Sequence, residues 1–297
     1  MSTLDLSSFK DIDILENEPM SEHISFRLGG TADRFITVTE NEAPALIAQL
    51  NSANEKYAII GNGTNILIRD EGFRGTIIKL KPSAPVIDKT TLTVGAGTSL
   101  ALTATSAAEY GLTGLEFAHG IPGTVGGAVM MNAGAYGGEI KDVLVSTDYC
   151  TPDGKVLTLS GKEHNFGYRQ SFFKEHPEML ILRSSFKLSE GNKTEIKEKM
   201  ADLARRRRES QPLDKPSGGS TFKRPEGYFA GRLIEDCNLK GFSIGGAQVS
   251  TKHAGFVINT GSATCKDVLD LCEHIKKTVY NTYNVVMERE IKILGEE

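Results

Sequence analysis

The chain has 297 residues, of which 39% are hydrophobic and 24% charged, and its formal net charge is −4. This composition is typical of a globular protein and excludes wholesale disorder, and the length allows one large domain or two to three smaller ones. The balance of 34 basic and 38 acidic side chains argues against a nucleic-acid binder that works through general basicity.

The N-terminal stretch MSTLDLSSFKDIDILENE lacks the basic and apolar regions of a signal peptide. No segment reaches the roughly 20 apolar residues of a membrane span. Four cysteines, Cys150, Cys237, Cys265 and Cys272, contain no C-x-x-C pair, so we expect reduced thiols. We therefore expect a cytoplasmic protein without membrane insertion. Isolated histidines without acidic partners at ligand spacing predict no metal site.

Elements of the N-terminal half alternate between strands and helices. Short β-branched runs predict strands at 35–38, 57–60, 76–80 and 92–94. A helix is predicted over 41–51 with Asn41 as its N-cap, and a second from near Thr98 to just before Gly111. The consecutive strands within 76–94 argue against a regular parallel Rossmann sheet.

The strand at 57–60 leads into the loop Gly61-Asn62-Gly63-Thr64-Asn65. Two glycines and two amides in five residues can direct several N–H donors toward an anion such as a phosphate. The loop does not match G-x-G-x-x-G, because isoleucine occupies the last position, and the chain has no Walker A motif. A tight hairpin turn is the simpler interpretation of this loop alone.

Nine glycines lie within 111–139, interleaved with apolar residues. Within this stretch, Gly123-Thr124-Val125-Gly126-Gly127 precedes an apolar helix, so its N–H groups and the helix N-terminus are expected to receive negative charge. Close packing of glycine against a neighbouring element explains one or two of these positions but not the series, which favours a functional interpretation.

Three further residues each allow more than one interpretation. Arg169, between aromatic residues, could pair with a carboxylate in a bidentate manner or stack on a ring at the surface, and the surface interpretation is favoured. Ser220 follows two glycines, but a loop serine usually has no special role. Strict alternation places Glu290 on one solvated face of a strand with Val286, Glu288 and Lys292.

After Gly191 the sequence changes from short apolar runs to a charged segment, which predicts a domain boundary near 191–199. A charged helix is predicted over 193–208, and one of the four arginines at its end could meet a phosphate. Residues 211–227, with three prolines, are expected to be irregular. A last helix begins at Thr264, where Asp267 completes a capping box, and a strand follows over 285–294.

Seven segments stand in order along the chain: SFRLGGTAD (25–33), GNGTNILI (61–68), GLTGLEFAHGIPGTVGGAVMMNAGAYGGE (111–139), YRQSFF (168–173), GGSTFKRP (218–225), KGFSIGGAQVSTKHAGFVIN (240–259) and EREIKI (288–293). Taken together, they resemble the UDP-N-acetylenolpyruvoylglucosamine reductase family. The resemblance runs from about residue 22 to the C-terminus, and the chain resembles the shorter branch, common in Gram-positive bacteria.

The resemblance implies an α+β protein with an FAD-binding fold of the vanillyl-alcohol-oxidase (PCMH) type in two subdomains and a third α/β substrate-binding domain. The expected ranges are 1–85 and 86–195 for FAD, with 287–297 returning to the active site, and 196–286 for the substrate. It also implies a cytoplasmic, monomeric reductase that uses NADPH to reduce the enolpyruvyl group of a UDP-linked amino sugar through FAD.

The residues implied for FAD binding are Ile60, Gly61, Asn62, Gly63, Thr64, Asn65, Gly120, Gly123, Thr124, Val125, Gly126, Gly127 and Ala128. The implied catalytic residues are Arg169, Ser220 and Glu290. Implied substrate contacts are Tyr168, Lys215, Lys223 and Arg224, and at Arg224 this chain departs from the asparagine of many relatives.

Two alternatives stay open at this point. Another flavin-dependent oxidoreductase of the same fold would use His119 or His23 as a covalent flavin anchor. A non-catalytic nucleotide-sugar binder would keep the phosphate loops without needing a flavin. The partners expected in every case are small molecules, with no nucleic acid.

Overall fold

The computed structural model describes residues 6–296 of the chain. Its strands are β1 (Ile12–Pro19), β2 (Thr31–Val38), β3 (Tyr57–Ile60), β4 (Ile66–Ile68), β5 (Phe73–Leu80), β6 (Val86–Asp88), β7 (Thr91–Gly95), β8 (Leu112–Thr113), β9 (Gly134–Ala135), β10 (Gly138–Glu139), β11 (Leu144–Cys150), β12 (Val156–Ser160), β13 (Leu180–Lys187), β14 (Ser189–Glu190), β15 (Ser243–Ile244), β16 (Ala247–Val249), β17 (Val257–Asn259) and β18 (Lys292–Leu294). Its α-helices are α1 (Ala43–Ser52), α2 (Leu100–Glu109), α3 (Val125–Met130), α4 (Phe172–Glu175), α5 (Lys193–Ser210), α6 (Ala230–Asp236) and α7 (Cys265–Tyr283).

The strands form several small sheets rather than one doubly wound sheet. A five-stranded sheet has the order β12-β11-β13-β7-β6, and all its neighbouring strands are antiparallel. A four-stranded sheet has the order β1-β2-β5-β3, in which β3 and β5 are parallel. The order β15-β16-β17 describes an antiparallel three-stranded sheet, and β18 pairs in parallel with β4. This mixture of sheets and helices confirms the predicted α+β class.

The described chain divides into two compact units. The first unit contains the residues up to Leu15 together with Arg34–Gly61 and Gly75–Arg206, and the second contains Glu16–Asp33, Asn62–Arg74 and the residues from Arg207 onward. The division therefore falls inside β1, β2, β5 and α5. The predicted ranges 1–85, 86–195 and 196–286 stay a prediction.

The core of the first unit forms where helices cover the five-stranded sheet and its neighbours. Helix α1 buries Leu46, Ile47 and Leu50 in this core, and α2 contributes the small residues Ala104 and Ala107. Helix α3 belongs to the same cluster through its apolar face. Because burial of each large apolar side chain contributes about 1.5–3 kcal/mol, this cluster is a rigid base for the segments between α3 and α4.

Helix α7 organises the second unit. Its buried face consists of residues spaced three or four apart, namely Val268, Leu271, Cys272, Ile275 and Val279. Thr264 and Asp267 form the predicted capping box, and the Asp70 carboxylate accepts the N–H groups of Cys265 and Lys266 at 2.7 and 3.0 Å. The negative charge of Asp70 therefore lies at the positive end of the helix dipole.

All four cysteines are free thiols in the described chain. Burial raises the pKa of Cys150 to about 11 and the pKa of Cys265 and Cys272 to about 12. These thiols are therefore protonated at neutral pH. Among residues 6–296, no helix combines the length and the apolar character that a membrane crossing requires.

The predicted elements of the first half are confirmed with small shifts. Each predicted strand lies inside β2, β3, β5 or β7, and α2 ends before Gly111, which adopts a φ of +72°. The N-cap prediction at Asn41 is wrong, because α1 begins after Glu42. The Glu42 carboxylate instead accepts the N–H groups of Lys10 and Asp11, both at 3.0 Å.

The predicted strand over 285–294 is also wrong over most of its length. Only β18 is regular strand, because its parallel partner β4 is itself three residues long. The preceding residues face the irregular segment after Pro216, and Phe222 and Arg289 form an isolated bridge there. A strand needs a continuous partner ladder, which a proline-rich loop does not supply.

Candidate active site

The loop 61–65 follows β3 and turns at Gly63, whose φ is +61°. A Cβ at this position would lie 2.6 Å from the His23 carbonyl oxygen and 2.7 Å from Ile24 Cα, so only glycine fits. The Gly63 carbonyl oxygen accepts the Ser25 N–H at 3.2 Å. By contrast, no described residue accepts a hydrogen bond from the backbone N–H groups of Asn62, Gly63 or Thr64. Consecutive N–H donors without internal acceptors suit an anion.

The N-terminus of α3 behaves differently from the expectation. Val125 N–H donates to the Thr98 carbonyl oxygen and Gly126 N–H to the Ala96 carbonyl oxygen, each at 2.9 Å. Gly127 N–H donates to Thr124 Oγ1 at 3.3 Å, which makes Thr124 the N-cap. The expectation that these three N–H groups receive an external anion is therefore wrong, because neighbouring protein oxygens already accept them.

Glycines in this stretch serve close packing as well. A Cβ on Gly126 would lie 3.0 Å from Ala96 Cβ, and a Cβ on Gly61 would lie 2.4 Å from Thr124 Oγ1. Gly61 therefore allows the end of β3 to lie against Thr124 within the first unit. The assignment of the segment from Gly120 to Ala128 to the cofactor stays a prediction.

Two observations test whether FAD fits these residues. The donors of loop 61–65 match the charge of a pyrophosphate, and Gly63 leaves the backbone there uncovered by a side chain. In addition, Nδ1 of His119 is buried without a hydrogen-bond partner in the described chain, directly before the segment from Gly120 to Ala128 that is assigned to the flavin. A buried polar atom of this kind is expected to meet a polar group that the chain itself does not provide. Both observations fit FAD.

Arg169 lies at the tip of a tight turn in the first unit. Gly167 N–H donates to the Gln170 carbonyl oxygen at 3.1 Å and Gln170 N–H returns a bond to the Gly167 carbonyl oxygen at 3.3 Å. Arg169 has a φ of +52°, an uncommon conformation for a residue with a side chain. Lys174 Nζ donates to the Arg169 carbonyl oxygen at 2.6 Å. The guanidinium lies 5.4 Å from the ring centre of the exposed Tyr168.

Ser220 and Glu290 come together in the second unit. Glu290 N–H donates to the Thr221 carbonyl oxygen at 2.9 Å, so the residue after Ser220 is joined to Glu290. Asn65 Nδ2 donates to the Glu290 carbonyl oxygen at 3.2 Å, and the Asn65 carbonyl oxygen accepts the Lys292 N–H at 3.0 Å. These hydrogen bonds thus connect loop 61–65, the loop that contains Ser220 and the C-terminal segment around Glu290. Glu290 is half-buried, whereas Val286, Glu288 and Lys292, which share its predicted face, are exposed.

The three basic substrate candidates have different surroundings. Lys223 forms an ion pair with Glu288, and the Lys223 N–H also donates to the Glu288 carbonyl oxygen at 2.8 Å. Arg224 lies with its guanidinium 3.9 Å from the ring centre of Phe229, a cation–π geometry. Lys215 is exposed. Part of the predicted positive charge is therefore already paired within the protein.

At the C-terminal end of α5, Arg205 and Arg206 pair with Asp202 at 2.6 and 2.7 Å. Whether one of the four arginines meets a phosphate stays a prediction. Among residues 6–296, no group of three histidine, cysteine, aspartate or glutamate side chains has the arrangement of a metal site. His23 Nε2 lies 2.7 Å from the Glu18 carboxylate.

One residue of this region was not among the sequence candidates. Asn132, only 1% exposed, donates through Nδ2 to Glu139 Oε2 and to the Gly167 carbonyl oxygen, each at 3.0 Å. Its Oδ1 accepts the Lys141 N–H at 3.0 Å. The available sequence signal was an asparagine directly after a short helix, a residue type that tolerates the left-handed φ of 41° seen here.

Comparison with known proteins gives matches over nearly the whole chain. Residues 34–160 match the FAD binding domain family, and residues 211–294 match the C-terminal domain of UDP-N-acetylenolpyruvoylglucosamine reductase. The chain is 50% identical over 283 residues to the UDP-N-acetylenolpyruvoylglucosamine reductase of Caldanaerobacter subterraneus subsp. tengcongensis, which covers 95% of this chain and 93% of the relative. The reductase of the same name from Clostridioides difficile (strain 630) is 46% identical over 300 residues, with 100% and 98% covered.

Among solved structures, the crystal structure of UDP-N-acetylenolpyruvylglucosamine reductase from Thermus caldophilus is similar, with a TM-score of 0.81 and 35% sequence identity. The match covers 96% of this chain and 100% of that chain. Sequence and fold are therefore similar to these proteins from one end of the described chain to the other.

Proposed function

The chain belongs to the UDP-N-acetylenolpyruvoylglucosamine reductase family, and we propose that it reduces the enolpyruvyl group of UDP-N-acetylglucosamine enolpyruvate to give UDP-N-acetylmuramate. FAD is the cofactor and NADPH is the reductant. The reaction belongs to the synthesis of peptidoglycan precursors.

One observation connects this reaction to the geometry of the second unit. Asn65 belongs to the loop whose N–H donors suit a pyrophosphate, and its side chain holds the carbonyl oxygen of Glu290 at 3.2 Å. The Thr221 carbonyl oxygen holds Glu290 from the other side at 2.9 Å. Direct hydrogen bonds thus join loop 61–65, the loop that contains Ser220 and the backbone of Glu290, which supports a site for a flavin-dependent reaction with proton transfer.

FAD, when bound, supplies the hydride transfer from NADPH to the methylene carbon of the enolpyruvyl group. Arg169 stabilises the negative charge that develops toward the substrate carboxylate, through its guanidinium. Ser220 donates a proton from its hydroxyl to the other alkene carbon. Glu290 orients the carboxylate end of the substrate, the end at which Arg169 acts. These three roles are part of the proposal, as are the FAD contacts of 60–65 and of Gly120 to Ala128.

The nucleotide half of the substrate needs contacts to a diphosphate and a base. Lys215, Lys223 and Arg224 supply the positive charge, and the exposed ring of Tyr168 supplies a stacking surface. Arg224 lies over the ring of Phe229, and this contact restricts the position of its guanidinium. At Lys223 a substrate phosphate competes with the Glu288 carboxylate for the ammonium group, so this contact contributes less to substrate affinity than the charge of Lys223 suggests.

The proposal includes the three-domain arrangement 1–85, 86–195 and 196–286, a monomeric state and a cytoplasmic location. Size-exclusion chromatography with light scattering tests the monomer. The location agrees with a precursor made before export, and fractionation of cells tests it.

The experiment for the function follows visible flavin absorbance in the purified protein. We expect stoichiometric FAD, loss of the flavin bands on addition of NADPH alone, and their return on addition of UDP-N-acetylglucosamine enolpyruvate. A colourless protein that binds UDP but never rebinds FAD would support a non-catalytic binder. Mass spectrometry of the denatured protein decides the other alternative, because a flavin attached to His119 or His23 adds its mass to the chain.

A further inference from the structure

Asn132 is a buried polar residue of the first unit outside the proposed catalytic set. It is buried, it has a left-handed backbone, and its side-chain amide uses both ends. Nδ2 contacts two acceptors, Glu139 Oε2 and the Gly167 carbonyl oxygen, and Oδ1 contacts one donor, the Lys141 N–H. Buried amides that satisfy three hydrogen bonds hold their neighbours in one arrangement.

The Gly167 carbonyl oxygen is the base of the turn that carries Arg169. It accepts the Gln170 N–H at 3.3 Å and the Asn132 amide at 3.0 Å, and no other described residue donates to it. Asn132 therefore joins the base of this two-residue turn to the end of α3, and Ser171 Oγ, directly after the turn, adds a second link by donating to the Met130 carbonyl oxygen at 2.7 Å. The φ of +52° at Arg169 is unfavourable for a residue with a side chain, so surrounding contacts must maintain it.

Charge around Asn132 bears on the same arginine. The Glu139 carboxylate contacts Lys141 Nζ at 2.6 Å and the Asn132 amide at 3.0 Å. The Lys141 ammonium is the main cause of a lowered pKa at Glu139, and the Arg169 guanidinium adds a smaller contribution. Glu139 is thus ionised at neutral pH within electrostatic reach of Arg169. Asn132 separates this carboxylate from the Gly167 carbonyl oxygen by donating to both.

We infer that Asn132 is a positioning residue for Arg169: it holds the turn 167–170 and the Glu139 carboxylate so that the guanidinium points in one direction. The inference rests on the proposed function for its catalytic consequence. A guanidinium that must meet a developing negative charge loses its effect when its support moves, and a displacement of about 1 Å can slow a reaction about 10²-fold.

Two substitutions distinguish the effect of the Asn132 side-chain amide from the effect of its left-handed backbone conformation. Asn132→Gly tolerates the left-handed φ and removes only the side chain. Asn132→Asp keeps the shape but replaces the Nδ2 donor by an oxygen that faces Glu139 and the Gly167 carbonyl oxygen. Asn54→Gly is the matched control, because Asn54 has a φ of 54° and lies in the loop after α1.

The first measurement is stopped-flow absorbance of the FAD-loaded enzyme. In both Asn132 variants we expect unchanged loss of flavin absorbance with NADPH, and a recovery with the enolpyruvyl substrate that is about 10- to 10²-fold slower than in wild type. In the Arg169→Ala background, Asn132→Gly should have almost no additional effect, since the guanidinium that it positions is gone. Asn54→Gly should match wild type. Equal slowing of both steps, or full additivity with Arg169→Ala, overturns the inference.

The second measurement does not depend on catalysis. Hydrogen exchange by mass spectrometry should show faster exchange at Gly167 and Gln170 in Asn132→Gly than in wild type or Asn54→Gly. Unchanged exchange there overturns the inference even if the enzyme is active. A different pair of results would separate the two proposals. If the enolpyruvyl substrate never reoxidises the flavin of the wild-type protein, the proposed function is wrong. Faster exchange in Asn132→Gly would still show that Asn132 supports the turn.

Discussion

Removal of the Ser220 hydroxyl tests the assignment of the proton donor. The side chain is exposed and hydrogen-bonds to no other residue in the described part of the chain. Ser220→Ala therefore disrupts no internal bond, and the free energy of unfolding should change by less than about 0.5 kcal/mol. The backbone bond from Glu290 to Thr221 does not involve the hydroxyl and should persist.

The magnitude follows from the step in which the proton is needed. Loss of a side-chain acid slows its step by at least about 10²-fold, equivalent to about 2.7 kcal/mol of activation free energy. Oxidation of NADPH requires no proton from Ser220. The two half-reactions should therefore respond differently, with normal loss of flavin absorbance and slow recovery.

Stopped-flow absorbance records each half-reaction separately. Ser217→Ala is the matched control, because Ser217 lies in the same loop and its hydrogen bonds use backbone atoms. Its carbonyl oxygen accepts the Ser25 hydroxyl at 2.5 Å, and its N–H donates to the Ser25 carbonyl oxygen at 3.1 Å. Ser220→Thr keeps a hydroxyl and should recover part of the rate. Equal slowing of both half-reactions would show that the substitution disturbs the flavin site, and normal recovery of absorbance would show that the proton comes from elsewhere.

Three other perturbations have expected outcomes. Gly63→Ala should weaken FAD binding and lower the melting temperature, because its Cβ would clash with backbone atoms at 2.6 and 2.7 Å; fluorescence titration with FAD and thermal unfolding measure both, and an unaltered affinity would contradict the role of this loop. Replacement of Lys223 and Arg224 by glutamate should raise the KM for the sugar nucleotide by at least about tenfold while the KM for NADPH changes little, which steady-state kinetics at low salt can test. The Thr264 N–H and Gly246 N–H lower the pKa of Asp267 below its ordinary value of 3.8, so its stabilisation is present above that pH and is lost as pH falls through the folded-state pKa. Asp267→Asn should therefore lower the melting temperature at neutral pH, with a difference that shrinks as the pH falls below 3.8.

Local sequence patterns predicted those elements whose stability is local. The face of α7 repeats every three to four residues and its capping box lies within four residues, so both could be read directly from the chain. The strands inside β2, β3, β5 and β7 were predicted for the same reason, because their apolar runs end at turns. The prediction failed at the N-cap of α1, where the Glu42 carboxylate binds backbone that is 31 and 32 residues away.

The sequence by itself determined the α+β class, the irregular segment 211–227 and the order of motifs that place the chain in its family. Tertiary structure decided which backbone donors of the two glycine-containing loops are available. The N–H groups of Val125 and Gly126 pair with oxygens of Thr98 and Ala96, whereas among residues 6–296 nothing accepts those of Asn62, Gly63 and Thr64. It also decided that Glu290 lies beside Asn65, 225 residues away, and that Asn132 supports the Arg169 turn. The physical reason is the same in each case. A hydrogen bond depends on the position of two atoms in space, and periodicity along the chain specifies position only within one helix or strand.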